Sequence, residues 1–284
     1  MNRKTTQEGV EAMTETWILL LTLLLSSAMP AWAGDDAKYG RFLFPAGHGY
    51  GVPSYGFGYG KHGATQQTPV NGFPTPGLQS NDRIAFCGDS ITFLGGHDPE
   101  YVGFINLFQN QLSTLDPTVQ IYDYGVPGYR VNDVIGQFNS IMQCNPTVVV
   151  LFIGINDIDV GEKPQVFYPA YQRLVSYFVE QPGIREVVLL SPMCHYERQD
   201  GKNPWDAAID AFTHDVYVVA QSTPKCFYCP MRGYWGYWES KVNPRGIADG
   251  ILTRPDGLHP NQQGHNLIAT VLDATFGLPQ PYLP

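Results

Sequence analysis

The chain has 284 residues, of which 43% are hydrophobic and 15% are charged, so it carries enough apolar material for one sizeable core. Its formal net charge of -9 argues against a nucleic-acid partner, because phosphate binding needs a basic face. The same charge gives no electrostatic attraction to anionic lipid surfaces. The composition therefore excludes the classes of protein that bind polyanions and favours an ordinary folded domain.

The first 33 residues have the pattern of a secretory signal peptide. Arg3 and Lys4 precede an apolar run over 17–25, and Ala31-Trp-Ala33 has the small-x-small form of a signal-peptidase site. The apolar run is too short for a comfortable membrane span. We therefore expect a secreted, periplasmic or cell-surface protein without stable membrane association after cleavage. An uncleaved anchor is the alternative.

Residues 34–80 differ in composition from the rest of the chain. They are rich in Gly, Tyr, Phe and Pro, most densely over 48–60, and have neither helical nor sustained strand periodicity. We predict a flexible linker here, and a segment that attaches to a surface or matrix is the alternative. The pattern changes at residue 81, so we predict a single folded domain over 81–284.

From residue 81 onward, the predicted elements alternate between strands and helices. Strands are expected at 83–87, 119–124, 147–153, 187–190 and 226–229. Helices are expected at 101–115, 131–142, 164–180 and 205–221, with a final helix beginning at Pro260. This alternation predicts an α/β fold, a flavodoxin-like three-layer α/β/α sandwich around a five-stranded parallel sheet. In such folds the site lies beyond the carboxyl ends of the strands.

Short polar motifs fall at the same predicted edge of this sheet. They are Gly88-Asp-Ser-Ile-Thr92, Gly154-Ile-Asn-Asp157, Asp256-Gly-Leu-His-Pro260 and, more weakly, Gly125-Val-Pro-Gly128. Each alone is also compatible with a turn or a helix cap. Their joint occurrence, in order and each after a strand or before a helix, indicates a catalytic site.

The residue types in these motifs are those of nucleophilic acyl transfer. A serine hydroxyl needs a base to take its proton, and His259 is the natural base for Ser90. Asp256 lies three residues earlier, so it can hold one imidazole nitrogen while the other faces Ser90. The expected oxyanion donors are the backbone N–H groups of Ser90 and Gly125 and the side-chain amide of Asn156. Glycine at 125 is expected to let the backbone approach the substrate without a Cβ in the way.

With these motifs in view, residues 82–276 resemble the SGNH (GDSL) hydrolase superfamily. Its members carry a Ser in Gly-Asp-Ser, an oxyanion Gly, an Asn in Gly-x-Asn-Asp and a His in Asp-x-x-His. The resemblance implies the roles just given and the three-layer sandwich. One departure is that the second block often reads Asn-x-Gly-x-x-Gly, whereas Asp123 stands here in the Asn position.

The five cysteines predict neither a disulfide framework nor a metal site. Their odd number leaves at least one thiol unpaired within the chain. Cys226 and Cys229 fall on one predicted strand, where their Cα atoms are roughly 10 Å apart and too distant to bond. No second cysteine pair completes a four-ligand zinc site. We expect neither a metal nor a cofactor. Cys87 is expected to be a core residue.

Several residues near the motifs receive less specific roles. His195, in the loop after the fourth strand, is either a substrate contact or a solvated histidine. Trp235 belongs to an aromatic cluster over 227–238 that either stacks on sugar rings or covers the sheet. Asp89 and Asp157 are expected to fix loops by accepting backbone hydrogen bonds, and His265, on the last helix, is expected to be structural.

Together these features predict a secreted serine esterase that forms an acyl-enzyme on Ser90 and acts on a small-molecule or carbohydrate ester. Deacetylation of carbohydrates is one option, and a lysophospholipase or thioesterase-type acyl hydrolase is the alternative. Two other classes are weighed. One is a metal-dependent phosphoesterase with Asp89, Asp157, Asp256 and His259 as ligands. The other is a non-catalytic carbohydrate-binding or surface protein on a hydrolase fold.

Overall fold

The computed structural model describes residues 76–198 and 203–279. The predicted signal peptide and most of the predicted linker lie outside these residues. Residues 76–80, which were assigned to the linker, pack on the domain. The Gly77 N–H donates to Glu186 Oε1 at 3.0 Å, and Leu78 packs against the core. The folded domain therefore begins before the predicted boundary at residue 81.

Five strands form one parallel sheet, as the sequence predicted. They are β1 (Arg83–Gly88), β2 (Gln120–Gly125), β3 (Val148–Phe152), β4 (Glu186–Leu190) and β5 (Cys226–Cys229), in the order β2-β1-β3-β4-β5. Every neighbouring pair is parallel, and Gly88 at the end of β1 pairs with Gly125 and Phe152. The central strand β3 reads Val-Val-Val-Leu-Phe and is buried throughout, because helices cover both faces of a parallel sheet.

The described residues form eight helices. They are α1 (Ser90–His97), α2 (Phe104–Leu115), α3 (Val131–Met142), α4 (Ile155–Asp159), α5 (Pro164–Val179), α6 (Asp206–Ser222), α7 (Met231–Val242) and α8 (Gln262–Thr275). Helices α1, α2 and α8 pack together on one face, while α3, α5 and α6 pack in series on the other. This arrangement is the predicted three-layer sandwich. None of the helices in the described segments is long and apolar enough to cross a membrane.

Several predicted boundaries differ from the structure for identifiable reasons. The second helix begins at Phe104 rather than at residue 101, and Val102, expected on its apolar face, is 47% exposed. The last helix begins at Gln262 rather than Pro260, because the Asn261 side chain accepts the N–H groups of Gln263 and Gly264 as its N-cap. Helices α1, α4 and α7 were not predicted.

Candidate active site

The site is built at the carboxyl edge of the sheet, where β1 ends and α1 begins. Asp89 is the N-cap of α1, and its buried carboxylate accepts the Ile91 N–H at 2.9 Å. Burial raises the pKa of Asp89 to about 7, and Asp157 and Asp159 act in the same direction. The cap leaves Ser90 as the first residue of α1. Its backbone N–H therefore has no partner within the helix.

His259 and Asp256 reach Ser90 from the turn that precedes α8. His259 Nε2 lies 2.8 Å from Ser90 Oγ, and His259 Nδ1 lies 2.7 Å from Asp256 Oδ2. Because a carboxylate only accepts, Nδ1 carries the proton and Nε2 is left to accept from the serine hydroxyl. The structure therefore brings the three predicted residues into one chain of hydrogen bonds.

The turn holds Asp256 in its ionised form. Its Oδ1 atom accepts the N–H groups of Leu258 at 2.9 Å and His259 at 3.0 Å. Partial burial acts to raise the pKa of this carboxyl, but the hydrogen bonds from the His259 side chain and the two backbone N–H groups outweigh it, so the pKa is lowered. A charged Asp256 fixes the imidazole and stabilises the imidazolium that forms when Ser90 loses its proton.

Asn156 is presented by the short helix α4, directly after β3. One N–H of its side-chain amide donates to the Tyr129 carbonyl at 2.9 Å, and the other is left for a ligand. Its neighbour Asp157 is buried, and its carboxylate oxygens lie 3.3 Å from the Val131 N–H. Burial raises the pKa of Asp157 to about 7. As predicted, Asp89 and Asp157 both accept backbone hydrogen bonds and fix loops.

Gly125 does not fit the predicted role of oxyanion donor. Its N–H donates to Asp123 Oδ1 at 2.7 Å, so it is already engaged. A Cβ at Gly125 would lie 2.2 Å from the Phe93 backbone nitrogen, so glycine is needed for close packing of β2 on α1 rather than for approach of substrate. The expectation for Gly125 is therefore wrong on both counts.

Gly128, three residues further along the same loop, has the properties that Gly125 lacks. It is exposed, has φ +82°, and a Cβ there would meet nothing within 4 Å. Its N–H has no hydrogen-bond partner in the described parts of the chain. It also directly precedes Tyr129, whose carbonyl holds Asn156. The signal in the sequence was the second glycine of the Gly125-Val-Pro-Gly128 motif.

His195 lies at this edge of the sheet, beside the turn that carries Asp256 and His259. Its Nε2 atom lies 3.1 Å from Asp159 Oδ1, and its ring stacks on Trp205 with centroids 4.3 Å apart. Burial lowers the pKa of His195 more than Asp159 and Asp256 raise it. Its side chain is only 12% exposed, so the solvated alternative does not hold. Contact with substrate stays a prediction.

Trp235 cannot contact substrate, because its side chain is fully buried. It lies on α7, where its ring approaches Gly264 of α8 closely enough that a Cβ there would lie 3.0 Å away. The prediction that Trp235 contacts substrate is therefore wrong, and the alternative of a packing role holds for it. Trp235 and the buried Trp238 belong to a helix that packs against the core.

The remaining sequence expectations concern cysteines and metals. All five cysteines lie within the described residues and are free thiols, and Cys87 is fully buried in the core. Within residues 76–198 and 203–279, no group of three or more His, Cys, Asp or Glu side chains is placed to hold a metal ion. His265 is fully buried and structural, as predicted.

A parallel α/β sandwich with a serine and a hydrogen-bonded histidine at the carboxyl edge of its sheet has the arrangement of a serine hydrolase. The chain belongs to the GDSL-like lipase/acylhydrolase family, whose model matches residues 86–267. A search of curated proteins found no match.

Solved structures agree with this assignment. The acetyl xylan esterase AlAXEase is 28% identical to the chain, with a TM-score of 0.60 over 69% of this chain and 98% of that one. LAE5, an α/β hydrolase enzyme from the metagenome of Lake Arreo, Spain, is 22% identical, with a TM-score of 0.60 over 70% and 97%. A catalytic mutant of Axe2, an acetylxylan esterase from Geobacillus stearothermophilus, is 21% identical, with a TM-score of 0.59 over 72% and 97%. The latter two support the fold alone.

Proposed function

We propose that the chain is an exported serine esterase that removes acetyl groups from carbohydrates, with Ser90 as its nucleophile. The observation that carries the proposal is the hydrogen-bonded chain from Ser90 Oγ through His259 to Asp256. A serine hydroxyl is a weak nucleophile, and a neutral imidazole nitrogen at 2.8 Å is placed to take its proton as it attacks.

The reaction follows from these positions in two halves. Ser90 Oγ attacks the ester carbonyl carbon while its proton passes to His259 Nε2. This attack forms a tetrahedral intermediate with a negatively charged oxygen. The intermediate collapses, the bond to the alcohol oxygen breaks, and His259 returns the proton to the leaving alcohol. Water then attacks the acyl-enzyme by the same route, so that acetate and free Ser90 result.

Three donors are proposed for the oxyanion. They are the Ser90 N–H at the start of α1, the free N–H of the Asn156 amide, and the Gly128 N–H in place of that of Gly125. A helix N-terminus favours developing negative charge, which adds to the contribution of the Ser90 N–H. Asp123 occupies the Gly125 N–H, which leaves Gly128 as the backbone donor of that loop.

The choice of a carbohydrate acetate rests on similarity and on the site. AlAXEase, an acetyl xylan esterase, aligns over nearly its whole length at 28% identity. His195, whose ring stacks on Trp205, interacts electrostatically with Asp256 and His259, so an aromatic pair lies near the proposed triad. Export is consistent with a polysaccharide substrate, and an N-terminus beginning at Gly34 in the mature protein would support cleavage after Ala33.

The nucleophile is tested by Ser90→Ala with p-nitrophenyl acetate. We expect turnover to fall by at least about 10³-fold, because the remaining groups cannot form the acyl-enzyme. Ser113→Ala is the matched control, since the Ser113 hydroxyl donates only to the Gln109 carbonyl on the exposed side of α2. Undiminished turnover in Ser90→Ala would overturn the mechanism.

The substrate class is tested separately with the parent chain. Acetylated xylan and other acetylated polysaccharides are compared with p-nitrophenyl esters of increasing chain length by kcat/KM. We expect acetate esters to be preferred and polysaccharide acetate to be released. A preference that rises with acyl length would instead assign the chain to lysophospholipase or thioesterase-type substrates.

A further inference from the structure

A buried ion pair connects the two elements that carry the proposed triad. Asp98 directly follows α1, the helix that begins with Ser90, and its carboxylate is fully buried. Asp98 Oδ2 accepts from the Arg254 guanidinium and, at 3.0 Å, from His265 Nε2. Asp98 Oδ1 accepts the N–H groups of Glu100 at 2.8 Å and Tyr101 at 3.1 Å. The carboxylate is thus saturated with donors.

Arg254 lies at the start of the turn that carries Asp256 and His259, and its backbone hydrogen bonds close this turn. The Arg254 backbone N–H donates to the His259 carbonyl at 2.7 Å, and its carbonyl accepts the Gly257 N–H at 2.9 Å. Its side-chain Nε donates to the Pro260 carbonyl at 3.3 Å. Because of these bonds, a movement of Arg254 would also move the turn.

The charges of this network are fixed. Burial acts to raise the pKa of Asp98, but the hydrogen bonds from Arg254, Glu100, His265 and Tyr101 lower it to about 2. His265 is neutral, because burial lowers its pKa and its Nδ1 atom accepts the Phe104 N–H at 3.2 Å. Asp98 and Arg254 therefore form a pair of opposite charges whose carboxylate is fully buried, and removing the arginine leaves that charge unpaired. Arg254 Nη1 also lies 3.4 Å from Oε2 of the exposed Glu100, which contributes little in solvent.

We propose that Arg254 and Asp98 are positioning residues that hold the His259 turn against the Ser90 helix and so set the Ser90–His259 contact. The inference rests on the triad roles proposed above. The ion pair joins Asp98, directly after α1, to Arg254, two residues before Asp256. Proton transfer depends steeply on this geometry, and a displacement of about 1 Å can cost roughly 100-fold in rate.

The test compares three substitutions at the pair with a matched change elsewhere. Arg254→Met removes the charge and keeps much of the length, Arg254→Lys keeps the charge, and Asp98→Asn removes the acceptor. The control is Arg185→Met, because Arg185 bonds the buried Asp82 at 2.6 Å at the opposite edge of the sheet. Arg185 and Arg254 side chains are 26% and 19% exposed, so the two arginines are closely matched.

The readouts separate positioning from stability. With all variants kept well below their unfolding midpoints, we expect Arg254→Met and Asp98→Asn to lower kcat on p-nitrophenyl acetate about 10- to 100-fold with little change in KM. The rate of Ser90 labelling by a fluorophosphonate should fall in parallel. Arg254→Lys should recover part of the loss, and Arg185→Met should lose stability without losing kcat.

Two results would overturn the proposal. One is an unchanged kcat and labelling rate in folded Arg254→Met and Asp98→Asn. The other is an equal loss of kcat in Arg185→Met. If Arg254→Met does not fold, Asp98→Asn against the parent chain decides by the same two rates. If the proposed esterase mechanism itself is wrong, Ser90→Ala will keep full turnover. This result distinguishes failure of the mechanism from failure of the positioning role.

Discussion

The two glycines of the loop after β2 differ in what they contribute. Gly125 sits where any side chain would collide with the α1 backbone, and its N–H is bonded to Asp123. Gly128 faces open space at positive φ with its N–H free of partners in the described residues. We therefore expect the first position to serve packing and the second to serve the oxyanion, although both are glycines of one short motif.

Asn156 provides the sharpest test of oxyanion stabilisation, because a side-chain donor can be removed without changing the backbone. We expect Asn156→Ala to lower kcat on p-nitrophenyl acetate by about 10²- to 10³-fold while KM changes little. Asn132→Ala is the control, since Asn132 only accepts from Arg173 on the exposed side of α3. Steady-state kinetics that leave kcat unchanged in Asn156→Ala would contradict this role.

At the scale of elements, the turn that carries the histidine depends on a residue distant in sequence. Glu197 follows β4 and is fully buried, and its carboxylate accepts the N–H groups of Ile251 at 3.1 Å, Leu252 at 3.0 Å and Thr253 at 2.7 Å. This segment leads directly into Arg254 and the turn. A buried carboxylate thus organises a loop that has neither helix nor extended strand of its own.

We expect Glu197→Gln to lower the free energy of unfolding by about 2–4 kcal/mol. The amide that replaces one carboxylate oxygen cannot accept, so buried N–H groups lose a charged partner. Urea denaturation followed by fluorescence measures the change. Glu180→Gln, at the exposed end of α5, is the control and should stay within about 0.5 kcal/mol. Equal midpoints for the two variants would contradict the anchoring role of Glu197.

Across the whole molecule, local patterns predicted the sheet well and the connections poorly. β3 and β5 are evident from short β-branched or apolar runs. The helix predicted over 131–142 from its apolar spacing matches α3 at both ends. Helix α1 was missed because it contains Gly95 and Gly96, which disfavour helix, and it forms because Asp89 caps it. Helix α7 was missed because its aromatic residues are equally compatible with a cluster that stacks on sugar rings.

The sequence predicts those residues of the candidate site that lie within short motifs. Ser90, Asn156, Asp256 and His259 each occupy a short pattern after a strand or before a helix, so their residue types and order were sufficient. The Arg254–Asp98 pair and the Glu197 anchor join positions 156 and about 55 residues apart, and no local pattern relates them. The close approach of Gly125 to Phe93 likewise depends on how β2 packs against α1.

The core also holds a carboxyl whose burial should make the stability of the fold depend on pH. Asp273 of α8 is fully buried, and neither of its oxygens has a hydrogen-bond partner within the described residues. Burial raises its pKa from 3.8 to about 7. Between pH 3.8 and about pH 7, Asp273 keeps a proton in the folded state that it releases in the unfolded state. The free energy of unfolding therefore falls as pH rises.

We therefore expect the free energy of unfolding of the parent chain to decrease between pH 5 and pH 8, and Asp273→Asn to remove on the order of 2 kcal/mol of that decrease. Asp89 and Asp157, whose pKa values burial also raises to about 7, keep part of the pH dependence in both proteins. Urea denaturation at both pH values measures the difference, with the exposed Asp133→Asn as control. Parallel stability curves for the parent chain and Asp273→Asn would show that Asp273 is charged in the folded state, which its unpartnered oxygens make unfavourable.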